Sequence, residues 1–166
     1  MTTIFVVDEN PAIASTIAQI LNGCRSEFQA LTCNGPYGAM QLAQAVKPNL
    51  VLMDTARDAR NALLCSMALR ELYSVEVVLM TAGIDLERTV RETFPQAVRP
   101  FPVLQKPMEP LQILDEIRRY SRNSIFPAQV FQPEKHAASY CRGAQRHVRT
   151  SYPHARRVRK IAQNRG

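Results

Sequence analysis

Cysteine and histidine are few in this sequence, and they do not cluster. The four cysteines, Cys24, Cys33, Cys65 and Cys141, are widely and irregularly spaced with no Cys-x-x-Cys pair, and the three histidines, His136, His147 and His154, lie far beyond the first three cysteines. A structural zinc site draws its ligands from close-set Cys and His pairs, so that class of protein is excluded and the cysteines read as reduced, structural thiols. Glycine is scarce as well, with six in 166 residues. None forms a phosphate-cradling loop after the first apolar run, which argues against a nucleotide-dependent metabolic enzyme. No apolar run approaches the roughly eighteen residues of a membrane span, and MTTIFVVDEN lacks a basic start ahead of an apolar signal core. A cytoplasmic protein with no membrane partner is therefore expected. The last shortage is acid near the C-terminus, where Glu134 is the single acidic residue after Ile117.

That shortage divides the chain. Residues 1–117 carry nine basic and thirteen acidic residues, a balance of −4, whereas residues 118–166 carry twelve basic residues against one acid, +11, which together make the net +7. At 46% apolar the chain is long enough for one core of ordinary size and too short for two full domains. From about Ser124 the chain has no sustained period and is expected to be disordered. Only residues 153–163 have the makings of a short helix, marginal by itself because Val158 and Ile161 alone would give it an apolar face. A solvated polycation is the default reading of such a run, and electrostatic attachment to nucleic acid or another acidic partner is the functional one. Contact with the molecule's own acidic pocket is a third reading. With no helix-turn-helix of adequate length, zinc finger or aromatic-interleaved platform in view, sequence-specific DNA reading is not expected.

The rest of the chain alternates short apolar runs with longer stretches of helical period, the pattern of strands joined by helical crossovers. Ile4-Phe5-Val6-Val7, Leu50-Val51-Leu52-Met53 and residues 75–80 are nearly continuous in Val, Ile, Leu and Met, as strands covered on both faces should be. Residues 28–32 and 103–105 are weaker strand candidates. The first helix has clear punctuation: Asn10 as N-cap, Pro11 at the first helical position, apolar Ile13, Ile17, Ile20 and Leu21, and Gly23 just past the end. Later helices follow from Ala39, Leu42, Ala43 and Val46; from Leu64, Ala68 and Leu72; from Leu86, Val90 and Phe94; and from Ile113, Leu114, Ile117 and Tyr120. Right-handed crossovers then predict an α/β fold, a doubly wound, five-stranded parallel sheet of flavodoxin-like order 2-1-3-4-5 with helices on both faces.

In such a sheet functional groups gather beyond the carboxyl ends of the strands. Asp8 and Glu9 follow the first strand, Asp54 the third, Thr81 and Ala82 the fourth, and Lys106 the fifth. A lone acid or lysine at a strand end is usually a solvated loop residue; three carboxylates, a hydroxyl and an ammonium brought to one edge are not. Clustered carboxylates attract a hard cation such as Mg2+, which takes oxygen ligands and bridges phosphoryl groups. Asp54 would then act as a carboxylate nucleophile toward a phosphoryl group, with Lys106, Thr81 and the amide of Ala82 meeting its oxygens.

IFVVDEN, VLMDT, VVLMTA and LQKPM, in that order and spacing, resemble the receiver domains of response regulators, the CheY-like phosphoproteins of two-component systems. The resemblance covers residues 1–121 and leaves 122–166 as the basic tail. It implies phosphorelay signal transduction through an aspartyl phosphate at Asp54, with a sensor histidine kinase or histidine phosphotransfer protein as donor. It further implies Mg2+ held by Asp8, Glu9, Asp54 and the backbone carbonyl of Ala56, and a two-state switch through Thr81. Any catalysis would be confined to phosphorylation and dephosphorylation of Asp54. Four departures stand out: Glu9 where the family usually has Asp; Asp58 and Ala62 where it has proline and glycine; and Val103 where it has a switch aromatic, with Phe101 near but out of register. Pro100 and Pro102 should interrupt pairing of the fifth strand. The leading expectation is a single-domain regulator that signals to a downstream protein by contact; the alternative is an atypical receiver acting as a phosphorylation-independent binding module. For the tail, the electrostatic reading predicts that nonspecific DNA binding falls steeply with salt and is lost without residues 124–166; salt-insensitive binding, or binding unaffected by truncation, would remove that reading.

Overall fold

A computed structural model describes residues 1–83, 85–94 and 99–122, so the tail beyond residue 122 and its expected disorder lie outside the described residues. The chain alternates strand and helix five times: β1 (Thr2–Val7), α1 (Pro11–Gly23), β2 (Phe28–Cys33), α2 (Gly35–Ala45), β3 (Leu50–Asp54), α3 (Ala59–Tyr73), β4 (Glu76–Thr81), α4 (Leu86–Thr93), β5 (Val103–Gln105) and α5 (Pro110–Arg122). All pairings are parallel and the order is β2-β1-β3-β4-β5, as the alternation predicted. Among the described residues no helix is long and apolar enough to cross a membrane.

Side chains alternate across a strand, so one apolar run feeds two cores. Phe5, Val7, Val51, Met53, Val77 and Leu79 face one layer, filled by Ala39 and Ala43 of α2, Leu63 and Leu69 of α3 and Leu86 of α4. Ile4, Val6, Leu52, Val78 and Met80 face the other, filled by Ile17 and Leu21 of α1 and Ile113 and Ile117 of α5. Truncating one of these leucines to alanine costs roughly 2–5 kcal/mol, because the site relaxes only partly around the void.

The start of α1 is set as its sequence suggests: Asn10 accepts from the amide of Ala12, and Pro11 supplies a preset φ at the first position. Its end differs, because Gly23 is the last helical residue and Cys24 the cap. Two helix faces are also rotated from expectation. Ile13 is exposed while Ala14, Ile17, Ala18 and Leu21 form the buried stripe. In α3, Leu64 is exposed; Ala68 is buried as expected, together with Ala62, Leu63, Ser66, Leu69 and Arg70. An apolar residue one step off the stripe points about 100° away, and packing against the sheet chooses the stripe.

Arg70 explains the α3 face. Its guanidinium pairs with Glu76 at the start of β4, donates to the carbonyls of Arg99 (3.0 Å) and Pro100 (3.3 Å), and lies 3.8 Å over the Phe101 ring. Burial pulls this guanidinium below its ordinary pKa, against the opposing pull of Glu76. Arg99 closes the second Glu76 oxygen at 2.6 Å. This network fastens the approach to β5, which still pairs despite its prolines because Pro102 only has to accept, from the amide of Leu79 at 2.9 Å. On the other layer Arg118 of α5 grips Glu27 through two hydrogen bonds, at 2.9 and 2.8 Å.

Breaking a buried ion pair from one side strands the other charge. Arg70→Ala is accordingly expected to cost about 3 kcal/mol in urea unfolding; an unchanged midpoint would show that Arg99 alone satisfies Glu76.

Candidate functional site

The carboxyl ends of β1, β3 and β5 meet on one ammonium. Lys106 Nζ donates to Asp8 Oδ2 at 2.9 Å and to Asp54 Oδ1 at 2.8 Å, across 98 and 52 positions of sequence. All three side chains are largely buried, at 16%, 4% and 10% exposure for Lys106, Asp8 and Asp54. Backbone bonds set these positions: the amide of Lys106 donates to the carbonyl of Thr81 at 2.7 Å, and Asp8 Oδ1 accepts from the amide of Asn10 at 2.8 Å. Burial works against the ammonium, but hydrogen bonds and charge from Asp54 and Asp8 outweigh it and raise Lys106 above its ordinary 10.5.

Thr81 is buried, and its Oγ1 has no hydrogen-bond partner among the described residues. A buried hydroxyl without an acceptor carries an unrecovered desolvation cost, and such groups mark places where a missing partner belongs. Ala56 and Ala82 are exposed loop residues. Asp58, at the position of the expected proline, caps α3 by accepting from the amide of Asn61 at 3.0 Å, and Ala62 is packed into the core.

Glu9 is held differently from its neighbours. Its Oε2 pairs with Arg57 Nη1 at 2.9 Å, and its stem lies against Gly35, where an added Cβ would stand 3.2 Å from Glu9 Cγ. Gly35 has φ +70, a left-handed conformation that glycine adopts without penalty. Sequence reasoning missed Arg57, Gly35 and Thr55. Gly35 was signalled by Asn34-Gly35-Pro36, a turn tripeptide ahead of a helix. Thr55 ties β3 to β4 by donating to the carbonyl of Met80 from Oγ1 at 3.0 Å and from its amide at 2.9 Å; nothing in the sequence separates it from an ordinary loop threonine.

The family model for the response regulator receiver domain matches residues 4–118. The chain belongs to this family. The response regulator MtrA of Mycolicibacterium smegmatis, described as DNA-binding, is 27% identical over 128 residues, which are 76% of this chain and 54% of that protein. The receiver chain thus spans about half the length of this curated relative. Chemotaxis protein CheY4 of Vibrio cholerae superposes with TM-score 0.59 at 15% identity, over 72% of this chain and 98% of that one. A response regulator from Thermotoga maritima does so with TM-score 0.61 at 19% identity, over 74% and 98%. At such identities these structures establish the CheY-like fold alone.

Receiver domains generally bind magnesium, and the donor chemistry of this cleft is compatible: its walls include Asp8, Glu9 and Asp54, all oxygen ligands suited to a hard cation. They are not drawn into a preformed cage, since among the described residues no three acidic, His or Cys groups are gathered tightly enough to hold an ion.

A folded-state pKa raised above 10.5 means that the charged lysine is favoured by the fold. Its contribution is complete below the unfolded value and is lost as pH rises through the higher folded value. The stability difference between natural receiver and Lys106→Met is therefore expected to be constant near neutrality and to shrink above about pH 10.5 in chemical unfolding. A difference that ignores alkaline pH would remove the ion pairs as its source.

Proposed function

We propose that this receiver takes a phosphoryl group onto Asp54 from the phosphohistidine of a sensor kinase or phosphotransfer protein and signals by protein contact. The observation that carries the reading is the shared ammonium of Lys106 between Asp8 and Asp54. A carboxylate oxygen of Asp54 attacks phosphorus as the bond to the donor imidazole breaks, and the electron pair leaves with the imidazole nitrogen. Asp54 becomes an acyl phosphate. Lys106, already within hydrogen-bond distance of Asp54, offers its positive charge to the phosphoryl oxygens, and Oγ1 of Thr81, which has no partner among the described residues, is a second donor that could meet them. Asp8, Glu9, Asp54 and the backbone carbonyl of Ala56 are the groups that would hold magnesium, whose charge offsets that of the incoming phosphoryl group. Catalysis in this reading is limited to forming and hydrolysing the receiver's own aspartyl phosphate.

A second reading, binding independent of phosphorylation, has specific support. Val103 stands exposed where the family's switch ring would be, and Phe101 is buried beneath Arg70, so neither offers a ring free to turn inward behind Thr81. In that reading the basic C-terminal segment supplies contact with nucleic acid or an acidic partner.

Intact mass after incubation with a small-molecule phosphodonor and magnesium separates the two. One phosphoryl adduct that needs magnesium and is absent from Asp54→Asn is expected. A folded natural protein that takes no adduct would favour the binding module.

A further inference from the structure

We propose that Arg57 is a built-in competitor of the divalent cation for Glu9, so that this receiver binds its metal more weakly than its carboxylates alone would allow. The inference rests on the reading of Asp8, Glu9 and Asp54 as the metal-binding acids.

Those three carboxylates are neutralised unequally. Asp8 and Asp54 share the buried ammonium of Lys106, whereas Glu9 reaches across the cleft to Arg57, which comes from the loop after β3. The direction of Glu9 is constrained. Gly35 closes one side of its stem, with room so limited that an added Cβ would crowd Glu9 Cγ at 3.2 Å. Between that wall and Arg57 the carboxylate settles on the guanidinium, with Oε2 2.9 Å from Nη1. The longer side chain at this position is thus committed to an internal cation, and a hard divalent ion gains Glu9 only by displacing it. Two cations cannot share one carboxylate oxygen without mutual repulsion.

Exposure limits the effect. The Arg57 side chain is 77% exposed and Glu9 35%, so the pair is of the weak, salt-screened kind. Arg57 therefore tunes metal affinity and does not block it. Removing the guanidinium should tighten magnesium binding by roughly three- to ten-fold at low salt, with less effect at high salt.

The test is calorimetric titration of magnesium into the full-length protein, in the natural form and as Arg57→Ala, Glu9→Gln and the double variant, with no phosphodonor present. The Arg57 side chain is 77% exposed, so Arg57→Ala should fold normally, which its thermal unfolding would confirm. The expected pattern is tighter binding by Arg57→Ala, weaker binding by Glu9→Gln, and no further gain from removing Arg57 once Glu9 is neutral. Equal affinity of the natural protein and Arg57→Ala, both binding, overturns the competition and leaves the metal site standing. A gain of the same size in the Glu9→Gln background also overturns it, because Arg57 would then act through its field and not through Glu9. Absence of binding in every form, or binding that survives Asp8→Asn and Asp54→Asn, overturns the reading of the site and the inference with it.

Discussion

The ammonium of Lys106 is the constraint on which the site depends. Asp8 and Asp54 stand at the ends of adjacent parallel strands, both largely withdrawn from water, and two such carboxylates repel each other unless a cation lies between them. Lys106 supplies it from two strands away, since β4 separates β3 from β5 in the sheet. Its reach depends on register: Thr81 pairs with Gln105, and the amide of the next residue, Lys106, returns to the Thr81 carbonyl. The same bond places the backbone of Lys106 beside that of Thr81, whose hydroxyl has no partner among the described residues. Charge balance and sheet register are therefore one property here.

The opposite end of β4 carries the second buried charge system, with a different consequence. Arg70, Glu76 and Arg99 fasten the chain entering β5, and Phe101 is held under the Arg70 guanidinium. If Asp54 is phosphorylated as proposed, a change there would have to cross the sheet to reach the surface around β5. Here its entry is clamped by ion pairs that cost desolvation to bury and much more to break singly. Under that proposal a signal carried there would move with the clamp or run through Thr81 and Lys106 at the other end of the strands.

Much of the fold was legible because its signals are local. Asn10-Pro11 starts a helix through one side-chain bond and one ring-fixed φ, and uninterrupted Val, Ile and Leu runs of strand length demand cover on both faces. The faces of α1 and α3 were less legible. Ile13 and Leu64 have the apolarity of core residues but lie one step off the stripe that the sheet accepts, while Arg70 has the charge of a surface residue and is buried because Glu76 and two backbone carbonyls receive it.

The site divides in the same way. Its residue types and their places at strand ends were readable from sequence, since in a parallel α/β sheet every strand delivers its C-terminal residue to one edge. Which of those groups touch was not, because contact depends on inter-strand register and on side-chain reach, neither of which is written in any single segment. Strand order, family and the acids that reach the cleft therefore follow from local pattern alone. It took the folded chain to show that Lys106 is shared by Asp8 and Asp54, that Glu9 turns to Arg57 against the wall of Gly35, and that Thr81 has no partner among the described residues: each is a balance of distance and desolvation between groups that meet only after folding.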